Sequence, residues 1–241
     1  MAARDYLRGA RAWPLRARAR APDGPRGHSR CRRYHHLRGV IASAGFASGH
    51  RVVVGHWDDS PLGPMTDVMW ARPGGERVLL VDRPAAAQFI TAVYRFDRVE
   101  VVPVTAGFDG RRLVVVAGGL ELWMEAGRGW RLPLGDRRPA WFTRWVEAAV
   151  ARPLLGVRTY GVSPTGVREW YRADEYRRVV GARAELSGHD LGRLRPVEPA
   201  VGFGFSEPPR RPSIVRVRPL LQDPSGRLDQ VVDRLAGQRE G

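Results

Sequence analysis

Lysine is missing altogether: all 40 basic residues of this 241-residue chain are arginine. That absence excludes chemistry outright. No side-chain amine is available for a Schiff base. A phosphate loop that needs its lysine against the β- and γ-phosphates cannot be built either. Cysteine is nearly absent too. The single Cys31 cannot close an internal disulfide, so a cytoplasmic protein that folds without covalent staples is expected. No apolar run reaches the roughly 18 residues of a membrane-spanning helix. The opening MAARDYLRGARAW is basic but lacks the apolar stretch of a secretory leader.

Arginine, by contrast, is abundant and unevenly spread. Eleven arginines and two aspartates in residues 1–38 supply +9 of the formal net charge of +15, leaving +6 for the remainder. The bias towards Arg, Ala, Gly and Pro has the look of a GC-rich genome, which weakens charge as a functional clue. Segment 1–38 has too little apolar surface to offset its ordering entropy. It is expected to be a disordered arginine-rich segment. It could be a basic tail touching nucleic acid or anionic lipid, a solvated tail without a role, or the product of a start codon assigned too early.

From His50 the pattern turns to strands. RVVVGHW and MTDVMWA flank the turn DDSPLGP, where Pro61 and Pro64 deny backbone donors to a ladder. Alternation places Met65, Asp67 and Met69 on one face. Asp58 and Asp59 read as turn carboxylates bonded to nearby N–H groups, with an acid or metal pair of Asp59 and Asp67 as the alternative. Residues 84–96 shift to helical spacing, with Pro84 suited to a helix start. Hairpins follow from Arg111, a helix is expected over 139–153, and strands are expected at VRTYGV, GVREWY, RRVVGARAEL and SIVRVRPLL. A short helix near 226–235 precedes the tail. The predicted architecture is α+β, mainly antiparallel: a curved sheet or barrel with two or three short packed helices. One β-rich domain over 39–221 is followed by a C-terminal helix and tail over 222–241.

Several residues carry candidate chemistry. Glu121, Trp123 and Glu125 share one face of a strand, but Cα atoms four residues apart in a strand lie about 13 Å apart, too far for a glycosidase-like carboxyl pair. Trp123 could floor a ligand pocket, and Arg168 could hold a carboxylate through its fork of donors. Glu169 and Tyr171 face away from Arg168 and Trp170. His50 and His56 share a face by parity, and His56 joins the pocket candidates. His28, Cys31, His35 and His36 miss the paired spacing of a zinc site, so no metal and no cofactor is expected.

The runs WDDSPLGPMTDVMWA, VLLVDRP, FITAVYRFDRVEVVPV, GVREWY, GHDLGRLRPVEP and VGFGFSEPPRRPSIVRV resemble a family of actinobacterial proteins without an assigned activity. The likeness covers about residues 50–220. The turn SPLGP also resembles, more distantly, the first long hairpin of acetoacetate-decarboxylase-like proteins. That resemblance implies a curved β barrel with an internal pocket, lined here by groups such as Arg168, Glu121 and Trp123. It does not imply the decarboxylase mechanism, which needs a lysine. The leading expectation is non-catalytic binding of a small anionic or apolar-bodied molecule. Two alternatives stand beside it. One is a lysine-independent decarboxylase or hydrolase-like enzyme pairing Glu121 or Glu125 with Arg168 or His56. The other is arginine-mediated binding of nucleic acid.

Overall fold

The structure, a computed structural model, describes residues 33–131 and 160–238. The predicted helix over 139–153 and most of the arginine-rich N-terminal segment lie outside the described residues. Within them the chain forms one 14-stranded sheet and two helices. The strands are β1 (Tyr34–His36), β2 (Arg38–Phe46), β3 (Arg51–Asp59), β4 (Met65–Ala71) and β5 (Arg77–Val81). After helix α1 (Pro84–Val93) come β6 (Arg98–Val101), β7 (Val104–Asp109), β8 (Arg112–Ala117) and β9 (Leu120–Arg131). The chain resumes with β10 (Tyr160–Val162), β11 (Arg168–Leu186), β12 (His189–Asp190), β13 (Leu194–Arg195), β14 (Ser213–Gln222) and α2 (Arg227–Gly237). Among the described residues the sheet is already formed at Tyr34, ahead of the expected start near His50.

The main path across the sheet runs β6-β5-β4-β3-β2-β14-β11-β9-β8-β7, antiparallel except for the parallel β5–β6 pair bridged by α1. Its two ends are neighbours in sequence. Only Val102 and Pro103 separate β6 from β7, and a link that short spans on the order of 10 Å. The sheet must therefore curl until its edges approach, which makes a mainly antiparallel half-barrel of the predicted class.

Alternation sorts the strands into two apolar layers. On one face Val53, Trp57, Met65, Met69, Leu79 and Val81 pack with α1, α2 and the segment 196–212. On the other, Val52, Val54, Val68, Trp70, Val78 and Leu80 meet Leu113, Val115, Leu120, Leu122 and Met124, so the two halves of the sheet face each other. Helix α1 starts with Pro84, whose missing N–H costs nothing there, and buries Phe89 and Ile90 on its sheet-facing stripe. Helix α2 buries Leu228 and Val231. His35 of β1 anchors it, with Nε2 2.9 Å from Asp229 Oδ1.

The turn after β3 is built differently from the expectation. Asp58 and Asp59 end β3 and are exposed. Ser60 holds the turn: its hydroxyl donates to the Gly63 carbonyl at 2.5 Å and accepts from the Leu62 N–H at 3.1 Å. The serine sits inside the tight loop, and the strand ladder carries both aspartates away from it. Asp67 does not join Asp59, since it is wholly buried in the helix-covered layer.

Candidate functional site

Two carboxyls with no exposed surface, Asp67 and Glu169, occupy the helix-covered layer. Asp67 takes its place because the alternation of β4 turns it inward between Met65 and Met69. Opposite it on β3 stands Gly55. A Cβ at Gly55 would lie 2.5 Å from Asp67 Oδ1 and 2.7 Å from Trp57 Nε1, so the missing side chain is what lets the acid and the indole meet. The Trp57 indole N–H donates to Asp67 Oδ1 at 2.7 Å. Burial still dominates and pushes the Asp67 carboxyl up to about 7, against the indole and the backbone N–H of Gly55, which favour the charged form.

Glu169 lies on β11 and points away from Arg168, as parity required. Its Oε2 accepts from the Tyr94 hydroxyl at 2.8 Å and from the Tyr171 hydroxyl at 3.1 Å, and the two phenols also touch each other. Tyr94 is the C-cap of α1, so the helix end delivers the phenol to the strand. Burial raises the Glu169 carboxyl to about 8 despite both phenol bonds. Both phenols are held well above their ordinary value, by burial first and by the Glu169 charge second. The charge of Asp67 also reaches Tyr171, so the two acids share one interior.

One oxygen of each acid is left over. Asp67 Oδ2 and Glu169 Oε1 are buried and have no partner. The bonded oxygen of each carboxyl already accepts, so the proton of each neutral acid belongs on the other one. The cluster thus offers two unused O–H donors in an apolar enclosure.

A loop covers this cluster. Within segment 196–212, Phe205 packs on Tyr171 with ring centroids 5.9 Å apart. Gly204 lies so close to the Tyr94 ring that a Cβ there would be 2.6 Å away. Arg77, Arg95 and Arg51 fasten the loop through its backbone: Arg77 Nη1 to the Gly202 carbonyl at 3.1 Å, Arg95 N–H to the Phe203 carbonyl at 3.0 Å, and Arg51 Nη1 to the Pro199 carbonyl at 3.0 Å.

The residues singled out in the sequence fall in three places. Glu121, Trp123 and Glu125 stay together on the side of β9 away from Leu122 and Met124, half-buried. There the Arg112 guanidinium lies over the Trp123 ring at 4.9 Å and donates to Glu125 Oε2 at 3.1 Å. His56 sits at the end of the opposite apolar layer, 2.8 Å from the Thr66 hydroxyl and edge-on to Phe108. Burial lowers its pKa. Arg168 donates to Gln222 at 3.3 Å on the face of β11 opposite Glu169. These five residues do not converge. The residues that do converge, Asp67, Tyr94, Glu169 and Tyr171, come from three distant segments. One signal for them was present: an acid alternating with methionines in MTDVMWA is a carboxyl on a core face. No family model and no curated protein matches this chain.

Proposed function

We propose that this protein binds a small carboxylate or carbonyl compound with an apolar body at the Asp67–Glu169–Tyr94–Tyr171 cluster, without covalent chemistry. One observation carries the reading. Two buried acid oxygens, Asp67 Oδ2 and Glu169 Oε1, lack any partner. An unsatisfied buried polar group costs about 1–3 kcal/mol, and two in one interior are a standing cost that a ligand oxygen accepting from both would remove. Met65, Met69 and Phe205 supply the apolar surround for the ligand body, and segment 196–212 is the part that must move to admit it. The distant likeness to acetoacetate-decarboxylase-like proteins agrees with a small-acid site, while the lack of lysine removes their Schiff-base chemistry.

The test is calorimetric titration and thermal shift with acetoacetate and butyrate at pH 6 and pH 9. Binding is expected at pH 6, where both acids carry protons, and should weaken at least tenfold at pH 9. Glu169→Gln keeps a donor and retains binding with a flatter pH profile, whereas Glu169→Leu loses it. Neither acid binding at millimolar concentration, or Glu169→Leu binding like the parent chain, would overturn the proposal.

A further inference from the structure

The curled sheet ends in two edge strands, β6 and β7, and they are not alike. β7 turns Phe108 inward and exposes Thr105 and Asp109. β6 exposes three of its four residues. Val99 is 42% and Val101 49% exposed, although their partners on β5, Leu79 and Val81, are wholly buried. The apolar cover that closes over β5 thus stops one strand short of the edge. Among the described residues no strand pairs with the outer side of β6.

The backbone of that edge has a definite phase. The Val102 N–H donates to the Val81 carbonyl at 2.8 Å. Counting back by the alternation of a strand, Glu100 and Arg98 turn their backbone groups to β5, while Val99 and Val101 turn theirs outward. The side chains of Arg98 and Glu100 share the face opposite the valines and pair with each other, Arg98 Nε to Glu100 Oε1 at 2.8 Å. Short length and charge are how an edge strand resists pairing. Here, however, the two charges are opposite in sign and two residues apart. An antiparallel copy of the strand centred on Val99 sets Arg98 against Glu100, and Glu100 against Arg98. Centring on Arg98 or on Glu100 instead would set a charge against its own copy, which is destabilising.

We infer that this chain forms a two-fold dimer by pairing β6 with β6 of a second copy, in the register centred on Val99. The two Val99 residues exchange both of their outward backbone hydrogen bonds on the two-fold axis. Arg98 and Glu100 of opposite copies then face each other as non-hydrogen-bonded pairs, whose Cα atoms lie only about 4.5 Å apart. Each keeps its partner within the strand and gains a second across the axis, a ring of four alternating charges. On the other face the exposed valines of both copies join into one apolar stripe. The contact is isologous and closes on itself, whereas β6 against β7 of the next copy would be heterologous and is the arrangement that risks an open filament. Because the strand is short, the dimer depends on concentration. It does not depend on the acid cluster.

The experiment is sedimentation equilibrium of the full chain from micromolar to millimolar concentration, which should show monomer and dimer only. Arg98→Glu sets two acids opposite each other on both sides of the axis and should weaken the dimer at least tenfold. Glu100→Arg should do the same with two arginines. The exchange Arg98→Glu/Glu100→Arg restores both pairs and should dimerise like the parent chain. An equal mixture of the two single variants, neither of which pairs with itself, should form heterodimers. If a single reversal fails to fold, Val99→Lys replaces it, since that side chain is already exposed and the change puts two ammonium groups on the axis, with the same loss expected. A parent chain that stays monomeric throughout would overturn the inference, as would species larger than a dimer. So would association unchanged in the folded reversals, which would belong to another surface, or a loss in them that the exchange does not recover.

Discussion

A single methyl group at position 55 is enough to disturb the acid cluster. The Cβ of Gly55→Ala would sit 2.5 Å from Asp67 Oδ1 and 2.7 Å from the Trp57 indole nitrogen. Either the hydrogen bond between them breaks or β3 shifts against β4. Overpacking of this kind costs about 1–3 kcal/mol, and chemical denaturation should show a fall in that range. At Glu169 the expectation divides by chemistry. Glu169→Gln preserves shape and a donor and should cost little. Glu169→Leu removes the acceptor that Tyr94 and Tyr171 share, leaving two buried hydroxyls to find each other alone, and should cost about 1–3 kcal/mol. Equal denaturation midpoints for the two variants would show that the phenols do not depend on the acid.

Among the elements, α1 does most to close the helix-covered layer. Phe89 is fully buried there and edge-on to His35. Phe89→Ala should destabilise by about 3–5 kcal/mol, and release of α1 should also free Tyr94, which its last turn positions. Loss of the Tyr94–Glu169 contact would be read as a shift of tyrosine absorbance in the variant. This helix was legible because Phe89, Val93 and Pro84 carry both its period and its start. β11 was not legible as one strand. The sequence suggests two, GVREWY and RRVVGARAEL, whereas a single strand of 19 residues runs through both. Register shifts at Ala173/Glu175, Arg177/Val179 and Val179/Gly181 reset the alternation each time. A period-two pattern broken three times does not read as a strand, although the backbone pairs with β14 over its first half and with β9 over its second.

For the whole molecule the buried acids set a pH dependence with a definite sign. Asp67 and Glu169 are raised to about 7 and about 8, while the unfolded chain ionises them in the ordinary carboxylate range. Between those limits the folded state holds more protons, so stability falls as pH rises, by up to about 1.4 kcal/mol per unit and per proton. Burial lowers His50 and His56, which makes folding gain stability as pH rises towards the ordinary histidine value near 6.5. The clean window is therefore pH 6.5 to 8.5. Melting temperature should decline across it, and Asp67→Asn/Glu169→Gln should flatten the decline. A parent chain whose melting temperature stays constant there would contradict the buried, protonated state of both acids.

Sequence alone determined the class of the fold and what chemistry is impossible. β-branched runs, proline–glycine turns and two helical stripes are local signals, each read within about ten residues, and the absence of lysine holds whatever the fold. Tertiary structure decided which side chains meet. Asp67, Tyr94 and Glu169 are far apart in the chain, and no spacing rule connects them. They come together because the sheet curls, α1 crosses between β5 and β6, and Gly55 leaves room beneath. Contacts between neighbours in sequence are written in periodicity, whereas contacts across a sheet depend on strand order and register, which three bulges in β11 hide from any periodic reading.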